Sequence, residues 1–160
     1  MTRIKLTAFP LLVFVALLVF SSCEKNAEKK IQTDFAKNGI LLTGAQVVPT
    51  STSPALGSLN VFYTRETRIL SYTITWSGLS GAPNGFGIYG LAPVGYGVSP
   101  ATPIQTIATT GMTATGTYSG TLLIDGVVIR EEDLLNNLYY VLIRTATYPA
   151  GEIRAQIKFQ

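Results

Sequence analysis

Glu152, Arg154 and Arg144 are the charged side chains whose spacing could do chemistry. On a strand, residues two apart share a face. Glu152 and Arg154 then face one way, and Ile153, Ala155 and Ile157 the other. Burying Val141, Ile143 and Thr145 with Ile153 and Ile157 requires an even pairing sum, which residue 144 opposite 154 across a loop at 147–151 satisfies. That register predicts Arg144 across from Arg154, with Glu152 diagonal to Arg144. Two roles follow. One is an ion-pair cluster that pins the terminal hairpin and contributes about 0.2–1 kcal/mol. The other is an anion site, in which two facing guanidiniums take a carboxylate or a sulfated glycan.

Aromatic side chains are the second set. Phe86, Tyr89 and Tyr96 lie in the Gly- and Pro-rich stretch 83–100. An aromatic face beside mobile backbone suits stacking of a protein or carbohydrate partner, whereas aromatics covering the open end of a sandwich would only pack. Trp76, at a strand end, reads as core or rim. The catalytic inventory is poor. The chain has no histidine, which removes the commonest general base and metal ligand. Its one cysteine is Cys23, its Ser and Thr lack a visible base, and no two acids are placed on facing strands for glycoside hydrolysis. The expectation is a chain that is not an enzyme and has no cofactor and no metal.

Charge narrows the partners. The formal charge is +3, of which Arg3 and Lys5 belong to an expected leader, so the remainder carries +1. Nucleic-acid binding needs a clustered excess of Lys and Arg, so no nucleic-acid partner is expected.

The leader reads as follows. Arg3 and Lys5 precede an apolar run, Leu6 to Phe20, broken only by Thr7 and Pro10. Fifteen helical residues reach about 22 Å, short of a hydrocarbon core of about 30 Å, which favours a signal peptide over a permanent span. The run stops at Phe20-Ser21-Ser22-Cys23, followed by Glu24-Lys25-Asn26-Ala27-Glu28-Lys29-Lys30. This resembles a lipobox, which implies cleavage before Cys23 and acyl chains such as palmitate on that cysteine. Each buried methylene contributes about 0.8 kcal/mol, so two or more chains anchor stably. The expected organisation is a lipoprotein signal peptide at 1–22, a lipidated polar tether at 23–39 and one β domain at 40–160. The expected place is the cell envelope, lipid-anchored to a membrane outside the cytoplasm.

From Ile40 onward the apolar period is two. A hairpin is predicted from Ser58–Thr64 and Arg68–Ser77, with Leu59, Val61, Tyr63, Leu70, Tyr72, Ile74 and Trp76 on its core face. The stretch 78–103 reads as loop with a short strand near Phe86–Leu91. Further strands fit Ile104–Thr109, Thr115–Ile124, Tyr139–Ala146 and Glu152–Phe159, and Asp125-Gly126 suits a turn. Arg130–Leu138 is the one helical stretch, with Glu131, Glu132 and Asp133 suiting a helix N-terminus. The predicted class is all-β: an antiparallel Greek-key β-sandwich or barrel-like domain with one short helix.

Four segments then carry a resemblance: Leu42-Thr43-Gly44-Ala45-Gln46-Val47-Val48-Pro49; Ala55-Leu56-Gly57; Leu70-Ser71-Tyr72-Thr73-Ile74 with Gly78-Leu79; and Tyr148-Pro149-Ala150-Gly151-Glu152-Ile153-Arg154-Ala155-Gln156-Ile157. Together they resemble the CHRD domain, named from chordin, over about residues 40–158. The resemblance implies an all-β extracellular module, discussed as binding rather than catalysis. It also implies imidazoles at three positions where this chain carries Gly87, Tyr89 and Arg144. Those residues cannot replace histidine as transition-metal ligands. The expectation is a binding or structural module toward protein or glycan. The alternative is a degenerate relative of a metal-binding β-sandwich that retains only an architectural role.

Overall fold

In the computed structural model, residues 33–98 and 102–160 are described. The expected leader, Cys23 and the tether as far as residue 32 lie outside them. Alternation of apolar and polar residues makes the central hairpin: β2 (Leu56–Thr64) pairs antiparallel with β3 (Ile69–Ser77), with Leu59 opposite Ile74 and Val61 opposite Tyr72. Its predicted core face is buried throughout, and Tyr63, Leu59, Leu70 and Ile74 are fully enclosed. Each such apolar side chain contributes about 1.5–3 kcal/mol when withdrawn from water. Trp76 belongs to the core, with its Nε1 donating to the Thr113 carbonyl at 3.0 Å.

β1 spans Asp34–Thr43, so its first six residues belong to the segment expected as tether. Asp34 through Lys37 pair with Thr64 through Val61, and a register shift between Lys37 and Ile40 accommodates Asn38-Gly39. The Asn60 side chain accepts the Gly39 amide at 2.8 Å. Phe35 stacks on Tyr63 and meets Phe159 edge-on, which gives this polar-looking segment its apolar anchor. Composition alone hides that contact.

The remaining strands are β4 (Gly85–Tyr89), β5 (Gln105–Thr106), β6 (Gly116–Leu123), β7 (Tyr140–Arg144) and β8 (Ile153–Gln156). All eight form a single sheet in the order β5-β4-β7-β8-β1-β2-β3-β6, every neighbouring pair antiparallel. The sheet curls until its two edges nearly meet. Gln105 of β5 donates to the Thr121 carbonyl of β6 and accepts the Tyr72 hydroxyl, both at 2.9 Å. Of the two predicted architectures, the fold is the barrel-like one. β5 has two residues rather than the expected six, because the chain turns at Thr109–Met112 instead of continuing along the edge.

The helix α1 spans Glu131–Leu135 and ends earlier than its apolar pattern suggested. Asn137 adopts φ +58°, its amide bonds the Leu134 carbonyl, and the Leu138 amide bonds that of Asp133. This is a Schellman closure, in which a left-handed residue stops the helix and satisfies its last carbonyls. Of the three leucines expected on one face, only Leu134 is fully buried. Asp125 does form the expected turn: its carboxylate accepts the amides of Val127, Val128 and Ile129 at 2.8–2.9 Å.

The barrel interior holds the main core. Phe86 and Ile88 of β4, Val141 and Ile143 of β7, and Ile153 and Ala155 of β8 point into it. A second buried cluster lies on the other face of the same strands. Val47, Tyr89, Ala92, Tyr140 and Leu142 pack there, with Val98 against them. The barrel core on one face and loops on the other bury both faces of β4 and β7, which explains why these strands are apolar without interruption.

Candidate functional site

Arg154 is a deeply buried charge on that second face. Residue 154 lies opposite Leu142, and Ile143 lies opposite Ile153, so Arg144 and Arg154 do not face each other. The even pairing sum is kept, which preserves the buried faces, but the register is shifted by two residues and the ladder ends at Ile143 and Ile153. The physical reason is in the turn. The Thr145 hydroxyl donates to the Glu152 carboxylate at 2.5 Å, and the Glu152 amide donates to the Ile143 carbonyl at 2.7 Å. These bonds fix Ile143 and Ile153 as partners and draw Glu152 out of strand geometry.

Gly151 makes the closure possible. It adopts φ +144°, and a Cβ there would lie 2.6 Å from Leu142 Cδ1 and 2.8 Å from Val47 Cγ1. Neither the conformation nor the space admits a side chain.

Glu152 is a structural hub rather than half of an ion-pair cluster. It is fully buried, and its carboxylate accepts four hydrogen bonds: Ser53 hydroxyl (2.8 Å), Ser80 amide (2.7 Å), Ser80 hydroxyl (2.8 Å) and Thr145 hydroxyl. Burial alone would raise its pKa, but these donated bonds outweigh burial and hold it below the ordinary glutamate value. One carboxylate thereby ties the 51–55 segment and the start of the 78–84 loop to the terminal hairpin.

Arg154 is 2% exposed. Its Nη1 donates to the Gln46 carbonyl at 2.8 Å, its Nη2 to Gln156 Oε1 at 2.6 Å, and its guanidinium carbon sits 4.0 Å from the Tyr140 ring centroid. Its Nε has no partner, and it forms no ion pair among the described residues. Desolvation lowers its pKa from the usual arginine value, while Tyr140 works the other way. Gln156 completes the cluster by donating Nε2 to the carbonyls of Ala92, Asn137 and Tyr139.

The expected aromatic face divides. Phe86 is 1% exposed and points into the barrel core, edge-on to Trp76 and Tyr118, so it cannot meet a partner. Its even position on β4 explains this, because Phe86 and Ile88 share the inner face. Tyr89 is buried as well, stacked on Tyr140 at 5.6 Å with Arg144 over its other side at 5.2 Å. Tyr96 is 67% exposed. A Cβ on Gly85, opposite Arg144, would come within 3.2 Å of its side chain, so glycine lets Arg144 lie across β4. Residues 87, 89 and 144 do share one face of β4 and β7. Among the described residues, no three His, Cys, Asp or Glu side chains come together.

Two cavities adjoin Arg154's surroundings. One of about 30 Å³ is lined by Arg154, Tyr140, Leu142, Val98 and Ala150, and the other, of about 340 Å³, by Gln46, Pro49, Thr50, Val94 and Gly95. Val47 and Val48 line both. This cleft is not visible in local patterning, since it arises where residues 45–50 and 94–98, distant in the chain, wrap the same flank. A larger concavity of about 600 Å³ crosses the outer face of β1, β2, β3 and β6. It carries no charged residue, and several of its polar groups are already paired: Thr73 with Ser119 at 2.9 Å, Asn60 with Gly39. The site with unused polar capacity is therefore the one beside Arg154.

Comparison with known proteins returned no match among curated proteins or solved structures. The family model described as "CHRD domain" matches residues 39–157, well over half the chain and nearly the whole barrel. With the P-x-G-E-I-R-x-Q segment now seen to build the Gly151 closure, the Glu152 hub and the Arg154–Gln156 cluster, the chain belongs to the CHRD domain family.

Proposed function

We propose that this CHRD domain is a non-catalytic binding module of the cell envelope, held to a membrane by acyl chains on Cys23. Its partner, protein or glycan, docks over the loops 45–50 and 91–98. The observation that carries this reading is a cluster of exposed apolar side chains on two loops flanking one cleft. Val48, Val94, Tyr96 and Leu91 are 41%, 65%, 67% and 48% exposed. Apolar residues grouped around a concavity mark contact surfaces more often than isolated ones do.

The topology supports the tethering. Asp34 opens β1 at one end of the barrel, and Thr43 closes it at the other, about 30 Å away at about 3.3 Å per residue. The 45–50 loop follows directly after that far end. A domain anchored through its N-terminus therefore carries the loops away from the bilayer. The polar chemistry supports a non-catalytic role, because Glu152 is committed to four hydrogen bonds and Gln156 to four others.

The test is affinity capture from envelope extract together with glycan-array binding, comparing wild type with Val94→Asp and Tyr96→Ala. Val127→Ser, at an exposed turn, serves as control. The expected result is a loss of about tenfold or more in the two loop variants and none in the control. Equal binding by all four would contradict the reading.

A further inference from the structure

The geometry points to an aliphatic monocarboxylic acid as the ligand of this cleft, with its carboxylate on Arg154 and its hydrocarbon body between the 45–50 and 94–98 loops. The inference goes beyond the binding reading above, which names a protein or glycan, by giving the same cleft a small-molecule ligand. It begins from the state of Arg154. A guanidinium withdrawn from water is normally retained against a carboxylate. Among the described residues its partners are two neutral oxygens and a tyrosine ring, and Nε is left without one. The fold has thus built a cation without a counter-charge.

The space beside it is matched to one small group. A cavity of about 30 Å³ exceeds the roughly 10–15 Å³ that a single water needs. Its other walls are Val47, Val48, Gly97, Val98, Leu142, Ala150 and Tyr140, none of which brings a second charged side chain. The Tyr140 hydroxyl already accepts the Val98 amide at 3.4 Å. The adjoining cleft, about 340 Å³, lies at the lower end of the range for small-molecule sites and is walled mainly by Val47, Val48, Pro49, Val94 and Ala45. Val47 and Val48 border both spaces, which places the two side by side, and the inferred ligand must have its head in the first and its body in the second. An apolar body with one negative end satisfies both; a polyanionic glycan leaves charges against valines.

The experiment uses the full chain in a non-ionic detergent, titrated with sodium hexanoate, hexanamide and sodium acetate. Thermal unfolding and saturation-transfer NMR are the readouts. Hexanoate is expected to bind saturably and raise the unfolding midpoint. Hexanamide, which keeps the shape and loses the charge, should bind at least about tenfold more weakly. Acetate should also bind more weakly, having no body for the cleft. Val94→Trp, a change at an exposed wall, is expected to abolish hexanoate binding, and Arg154→Lys to erase the preference for acid over amide. No saturable hexanoate binding, equal binding of hexanamide, or full binding by Val94→Trp would each overturn the inference. Val94→Trp keeps the test decisive if Arg154→Lys fails to fold. Capture of a macromolecular partner that depends on Tyr96, without any hexanoate effect, would reject the acid while leaving the binding module in place.

Discussion

The guanidinium of Arg154 lies over the ring of Tyr140 at 4.0 Å, and Tyr140 stacks in turn on Tyr89, over which Arg144 lies at 5.2 Å. Two cations and two rings thus cross β8, β7 and β4 on the face away from the barrel core. A desolvated cation on a ring contributes about 2 kcal/mol, more than at an exposed site. The stack depends on Gln156, which orients Arg154 and satisfies three buried carbonyls at once.

Gln156→Leu should therefore cost about 2–4 kcal/mol although it adds no bulk to the core, because it leaves buried acceptors and a guanidinium N–H unpaired. Urea denaturation at neutral pH measures this. A loss under about 1 kcal/mol would show that water replaces the amide freely.

Glu152 gives the domain an acid-sensitive joint. Its folded pKa is held below its ordinary unfolded value, so its stabilising contribution is complete above that unfolded value and is lost as pH falls through the folded pKa. Glu152→Gln should destabilise by about 2–3 kcal/mol at pH 7, because an amide nitrogen then faces hydroxyls that donated to oxygen. The gap between variant and wild type should narrow toward pH 3. Urea midpoints across pH check the sign; a gap that widens in acid would contradict it.

Gly151→Ala should destabilise by about 2–4 kcal/mol, combining a backbone conformation reserved for glycine with a methyl group 2.6 Å from Leu142 Cδ1. Gly95→Ala makes a useful comparison. Its φ is also positive, at +83°, but nothing lies within 4 Å of its Cβ position, so it reports conformational strain alone. The difference between the two in thermal unfolding reports the clash together with the added strain of φ +144°.

The parts of the fold legible in sequence were those governed by local alternation. The β2–β3 hairpin and its core face follow from period two, and the Asp125 turn follows from its residue types. Lengths and register were less legible, because they depend on side chains meeting across the chain. Strand faces alone leave every even-sum pairing open, and Thr145 and Glu152 select one two residues from that expected. Phe35 pulls the polar start of β1 into the sheet through Tyr63 and Phe159, more than 25 residues away. Arg154 is legible in the sequence as a charged candidate, but the facing Arg144 expected for it is not what the strands bring there. Its counterpart is not Arg144 but an uncharged pocket made by two loops that the sequence reads simply as loop.

The claim on which the cellular reading rests is that Cys23 carries lipid. Intact mass of the expressed chain, combined with membrane fractionation of wild type and Cys23→Ala, tests it directly. The account predicts a wild-type chain lacking residues 1–22, heavier by its acyl chains and retained in membranes, with the variant released. An unlipidated, soluble wild type would contradict it and make the domain a freely secreted module.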